Sequence, residues 1–175
     1  MDPLLLWIAL LAATLAAGLD LRSRRIPNWL TLGTLAAGLA LRTLLHGPAD
    51  LAVGVVGAFA AGFPALILFR LKAMGGGDVK LLAGCGALLG PEAGLQLLVA
   101  TALVGGGMAL ACIVLRRAWA MTAHNLWTLF LHWRGRGLIP CPAVSLGSSR
   151  GIVLPYGLAI AGGMAFTFAS HLGNL

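Results

Sequence analysis

Apolar residues in this chain do not alternate with polar ones; they run on in blocks. Such blocks carry neither the two-residue period of a half-buried strand nor the 3.6-residue stripe of a soluble helix. Residues 3–19, 29–45, 51–71, 93–115 and 152–172 form five of them. Each approaches the ~20 residues that a helix needs to cross a bilayer. A further block, 79–89, is apolar but short. As a helix it rises only ~17 Å, about half the hydrocarbon core. Pro91 and Glu92 stop it before the next block begins. The pattern predicts an all-α polytopic membrane protein of about six transmembrane helices, with one short helix after a glycine strip at 75–77.

Residues 117–151 break the pattern. Trp119, Leu126, Trp127, Phe130 and Trp133 mix with His124, Asn125, His132, Arg134 and Arg136. That mixture predicts an interfacial helix with aromatics at headgroup depth. A loop rich in Gly, Pro and Ser follows over 135–151. No internal repeat is present, and 1–175 reads as a single membrane-embedded domain. Met1, Asp2 and Pro3 supply no basic start, so a secretory signal peptide is not expected.

Composition sharpens the class. Hydrophobic residues make up 59% and charged residues 10% of 175 positions, against about 45–50% and about 25% in soluble domains. Soluble and disordered readings are excluded, and a nucleic-acid partner is not expected despite a net charge of +7. The partner implied is the lipid bilayer. Three cysteines without a CxxC pair argue against a disulfide framework or a zinc ribbon.

In a membrane chain the basic residues record orientation. Arg22, Arg24 and Arg25 follow the first block; Arg70, Lys72 and Lys80 surround the glycine strip; Arg116, Arg117, Arg134, Arg136 and Arg150 lie before the last. Eleven of the twelve therefore fall on one side, with Arg42 alone on the other. The positive-inside rule makes that side cytoplasmic and puts both termini outside. Of the five acids, Asp2, Asp50 and Glu92 fall outside. Asp20 and Asp78 remain as the only carboxylates on the basic side, each at the edge of an apolar block. Carboxylates in that position are expensive and point to function.

Their surroundings differ. Asp78 ends the run Met74-Gly75-Gly76-Gly77-Asp78-Val79-Lys80. Glycines there let another chain approach closely, so a substrate backbone can lie along the strip beside Asp78. The plainer reading makes Asp78 the N-cap of the short helix. Asp20 opens Asp20-Leu21-Arg22-Ser23-Arg24-Arg25-Ile26-Pro27-Asn28-Trp29-Leu30-Thr31-Leu32. The plainer reading there is a basic loop with Pro27 near a helix start and Asp20 paired to Arg24.

Taken together, these runs resemble the type IV prepilin peptidases, membrane aspartyl proteases of the GxGD type. The first family motif, D-x5-(I/L)-P-(N/D)-x-L-T-L, is matched at each fixed position from Asp20 to Leu32, including Pro27 and Asn28. The second, G-x-G-D-x-K, is matched by Gly75, Gly77, Asp78 and Lys80, with Gly76 between. A third, a Pro-aromatic-Gly run opening the last block, is matched by Pro155, Tyr156 and Gly157.

The resemblance implies catalytic Asp20 and Asp78, with Gly75, Gly76, Gly77, Lys80, Pro27, Asn28, Pro155, Tyr156 and Gly157 in support. No metal and no cofactor are implied. It implies prepilin or pseudopilin substrates, cleaved at the cytoplasmic face of a bacterial inner membrane. Many relatives carry a cytoplasmic insertion with two CxxC pairs and also methylate the new N-terminus. Its absence resembles the short, peptidase-only branch serving Tad (Flp) pili, with no methyltransferase domain.

Two neighbouring carboxylates do not both ionise easily and share a proton. One can take a proton from water as the other donates to the scissile carbonyl. Lys80 either tunes that pair or anchors the chain at the interface. Ser145, Ser148 and Ser149 have no lysine placed to activate them. His46 and His171 lie outside, and His124 and His132 lack a third ligand. Cys85 and Cys112 read as packing residues and Cys141 as a loop thiol. Gly84, Gly86, Gly90 and the run 105–107 read as helix-contact surfaces. Two competing readings are a small membrane transporter, which would favour an inverted repeat, and a non-catalytic pilus or secretion assembly protein, which would have lost one aspartate.

Overall fold

A computed structural model describes residues 2–137, 139, 141 and 155–172. Ser145, Ser148, Ser149 and Arg150, and the start of the last apolar block at 152–154, lie outside the described residues. The described chain is all-helical, with seven helices: α1 Pro3–Ser23, α2 Asn28–His46, α3 Asp50–Arg70, α4 Gly76–Leu89, α5 Pro91–Leu115, α6 Trp119–Arg136 and α7 Tyr156–Leu172. Three of them, α1, α3 and α5, are long and apolar enough to cross a membrane. α2 is diluted by Asn28, Arg42 and three threonines, α7 has 17 described residues and α4 has 14.

Local chemistry explains the ends. The Asp2 carboxylate accepts from the Leu4 amide at 2.9 Å, and Pro3 takes the first helical position of α1. α1 stops at Arg24, whose backbone turns left-handed (φ 52°) while its amide closes on the Asp20 carbonyl at 2.8 Å. α4 and α5 are joined by Gly90 alone, at φ 83°, with Pro91 opening α5. A side chain at that φ would be strained, and glycine is not.

α4 is the axis of the bundle. It packs against α1, α2, α3, α5 and α7, and all its residues from Gly84 to Leu89 are buried. On α3, Gly57 meets α4 backbone to backbone: a Cβ there would collide with the Gly86 carbonyl oxygen. Close approach through small residues is how helices associate when lipid removes the hydrophobic drive. The contact reading therefore holds for Gly84, Gly86 and Gly90, and for Gly105 under Tyr156; Gly106 and Gly107 face open space.

The outer surface is as apolar as the core. Leu5, Leu6, Ala9, Ala13 and Ala16 of α1 are buried, while Leu4, Trp7, Leu11 and Leu15 of the same helix are exposed. A helix apolar on every face is solvated by lipid. Among the described helices the backbone of α6 comes near only that of α5, while Leu129 and Trp133 face Leu68, Leu71 and Lys72; Trp119, Leu126, Trp127 and Phe130 are exposed.

The two ends of the bundle differ in charge. At one, Arg42 Nε lies 2.8 Å from Asp50, with His46 3.6 Å from Asp50 and 3.8 Å from Asp2. Arg42 Nη1 also donates to the Leu88 carbonyl at 2.8 Å, capping the last turn of α4. The opposite end carries Asp20, Arg24, Arg25 and Asp78 around one cavity.

Candidate active site

Asp20 lies inside the last turns of α1, one step deeper than the edge of the apolar block. It is buried. The Gly157 amide, in the first turn of α7, donates to Asp20 Oδ2 at 3.0 Å. A helix N-terminus offers free backbone amides to an acceptor of this kind. Among the described residues no ion pair joins Asp20 to Arg24, so the simple pairing reading fails; Arg24 meets Asp20 through its backbone.

Asp78 is the third residue of α4, and the N-cap is Gly75 in extended conformation (φ −77°, ψ 148°). The N-cap reading of Asp78 is thereby corrected. Its carboxylate folds back to the Gly75 amide, the return half of a capping box. Burial first, and then the charge of Asp20, push the Asp78 carboxyl from its ordinary 3.8 up to about 6, against the pull of the Gly75 amide. Asp78 sits in the opening turn of a helix too short to span a bilayer.

The glycine strip is not an extended ribbon. Gly76 and Gly77 form the first turn of α4. A Cβ on Gly75 would lie 2.8 Å from Asp78 Oδ2, leaving no room for the returning carboxylate. A Cβ on Gly77 would lie 3.1 Å from the Ile26 Cβ, lifting the α1–α2 connection off α4. Gly76 sits under the Phe69 ring, which a Cβ would approach to 3.3 Å.

Asp20 and Asp78 share a cavity of about 270 Å³ with Gly75, Gly76, Gly77, Arg24, Arg25 and Ile26. The charge of Asp20 is felt by the Asp78 carboxyl across this space. The other candidates stand further off. Pro27 is the N-cap of α2, and Asn28 follows it. Lys80 is exposed and donates to Asn28 Oδ1 at 2.9 Å, outside the cavity lining. Pro155 precedes α7 and its carbonyl accepts from Leu158 at 3.1 Å. Tyr156 packs on the core with its hydroxyl over Gly105 of α5. Arg25 and Ile26 also line the cavity, as does Arg24, which the sequence offered only as an ion-pair partner of Asp20. The signal for Ile26 was its place in the Asp20 motif, opposite a glycine strip able to receive it.

His124 and His132 both lie on α6, and no cluster of three potential metal ligands occurs among the described residues. Cys85 is buried in α4 as a packing residue and Cys112 is half-buried. Cys141 lies outside the helices as a free thiol, as expected, and it is buried beside Leu68, Lys72 and Trp133.

Residues 6–110 match the type IV leader peptidase family. The chain belongs to that family. The matched stretch contains Asp20, Asp78 and the cavity between them. Two curated relatives are similar to it. Over 123 residues it is 40% identical to the prepilin leader peptidase/N-methyltransferase of Aeromonas hydrophila. It is 39% identical over 123 residues to the protein of the same name from Aeromonas salmonicida strain A449. Each alignment covers 65% of this chain, and the chain spans about 40% of the length of those relatives. No solved structure matches it.

Proposed function

We propose that the chain is a membrane aspartyl endopeptidase that removes the short basic leader from type IV prepilins at the cytoplasmic membrane face. The observation that carries this reading is the shared cavity: the two acids of the basic end, on two different helices, face one space of about 270 Å³. Asp20 and Asp78 are its catalytic pair.

The chemistry follows from one shared proton. The ionised carboxylate takes a proton from a water molecule, and the water oxygen attacks the scissile carbonyl carbon. The protonated carboxyl donates to the carbonyl oxygen. In collapse of the tetrahedral adduct the C–N bond breaks, the leaving amine takes up the proton that the first carboxylate gained, and the second carboxylate takes a proton back from an adduct hydroxyl as the carbonyl re-forms. The pair returns to its starting protonation. Backbone amides of Gly157 and Gly75 hold the carboxylates in place throughout.

The finer assignments rest on sequence. The positive-inside distribution supports about six spans with both termini outside in a bacterial inner membrane. The missing CxxC pairs support a peptidase without methyltransferase chemistry, acting on Flp-type prepilins or pseudopilins as a single domain over 1–175. Pro27, Asn28, Lys80, Pro155 and Tyr156 brace the two aspartate-bearing segments.

Reconstitution with a prepilin tests the reading. The purified chain, in vesicles with a substrate carrying a basic leader, a terminal leader glycine and an apolar helix, releases the leader on a gel. A chain that inserts and leaves every such substrate intact overturns it.

A further inference from the structure

A second depression lies beside the acidic cavity. It measures about 320 Å³ and is bounded by α2, α3 and α4. α3 supplies Phe59, Phe63 and Leu66 to one wall, spaced so that all three share a helix face. α2 supplies Leu32 and Leu35 to the other. The floor is low, because Gly62 rests on Ala83: a Cβ at 62 would come 2.8 Å from that of Ala83. Large apolar walls over a floor of small residues make a groove that receives an apolar helix. Lys80 is the one charged residue on its lining.

The cavity and the groove follow one another along α4. On α4, Gly75 to Asp78 line the cavity, then Val79, Lys80 and Ala83 line the groove. On the facing wall, Ile26 lines the cavity, then Thr31, Leu32 and Leu35 line the groove. Between them the Lys80–Asn28 hydrogen bond crosses from wall to wall at 2.9 Å. The groove opens within one turn of Asp78. A turn rises ~5.4 Å along the helix axis, so the two spaces are neighbours along α4.

We infer that this groove holds the apolar helix of the substrate that follows the scissile bond. The Lys80–Asn28 bridge marks the point where substrate passes from extended chain to helix. The inference rests on the peptidase reading above. It favours a polypeptide over a free lipid chain because the groove follows the acidic cavity along α4.

The full chain is reconstituted in phosphatidylethanolamine–phosphatidylglycerol vesicles with the prepilin substrate described above. The double variant Leu32→Ala with Phe63→Ala strips both walls, and both side chains are exposed, so the core is untouched. The expected result is a KM raised about fivefold or more with kcat held within about twofold. Leu103→Ala, exposed on α5 away from the groove, changes neither. A benzophenone side chain in place of Leu35, in an Asp78→Asn background, crosslinks to the apolar segment of uncleaved substrate; one in place of Leu103 does not.

Wild-type chain that cleaves while the double variant keeps its KM overturns the groove alone. Crosslinks from position 35 only to lipid, or only to a second copy of the chain, overturn it too. Wild-type chain that cleaves nothing overturns the reading beneath it.

Discussion

The backbone amide of Gly157 donates to Asp20 Oδ2 across 3.0 Å, joining residues 137 positions apart. The first turn of α7 thus aims at the last turns of α1, and glycine is what lets it come so near. A Cβ on Gly157 would stand 2.9 Å from the Asp20 Cβ and 3.1 Å from Oδ2.

Gly157→Ala is expected to push α7 off Asp20 and misplace its carboxylate. Displacement of a catalytic group by ~1 Å costs up to ~100-fold. Leader release should fall by at least about tenfold, with insertion unchanged by protease protection. Activity within about twofold of wild type would show that Asp20 does not depend on this contact.

Asp20→Asn and Asp78→Asn should each abolish leader release while the protein still inserts. No third acid lines the cavity to take over. The double variant should be no worse than either single, because groups that act as a unit are not additive. Substantial cleavage by either single variant removes the paired assignment.

Much of this site was legible from charge bookkeeping. Asp20 and Asp78 stood out as the two acids on a side that held eleven of twelve cations, and the structure brings them to one cavity. The long apolar runs of α1, α3 and α5 were legible for the same reason, since uniform apolarity needs no tertiary information. What eluded the sequence was contact between distant segments. Nothing local ties Gly157 to Asp20. The glycine strip read as a surface that another chain could approach closely, whereas Ile26, Phe69 and the Asp78 carboxylate already lie against its bare sides. Arg42 read as the one misplaced cation, and it turns out to cap α4 and pair with Asp50.

The Asp78 carboxyl, pushed up to about 6 by burial and by Asp20, gives a pH signature. Where the reaction needs a proton on the pair, the rate falls as pH rises through about 6. Stability moves in the same sense. Between 3.8 and about 6 the folded chain binds this proton and the unfolded chain has lost it, so raising pH lowers stability over that window. Asp78→Asn should therefore melt above wild type at pH 7, with the gap closing toward pH 4. Equal melting at both ends of the range would remove the burial of Asp78 as the cause.

Orientation has its own check. Arg42, His46, Asp50 and Asp2 gather at one end of the bundle and the candidate site at the other. In a background free of native cysteines, Ser23→Cys should react with an impermeant maleimide only from the cytoplasm and Ala49→Cys only from outside. The reverse pattern would turn the site away from a cytoplasmic leader.

α4 is gripped at both ends. Arg42 holds its final carbonyls, Ile26 lies against its first turn, and the backbone of α3 presses on its middle at Gly57 and Gly86. A rod clamped in this way does not swing its carboxylate out to meet a peptide. The peptide must be bent to it, as metal is worked on an anvil. On the proposed peptidase reading the burden of deformation falls on the guest, and its sequence is selected first by how readily it unwinds.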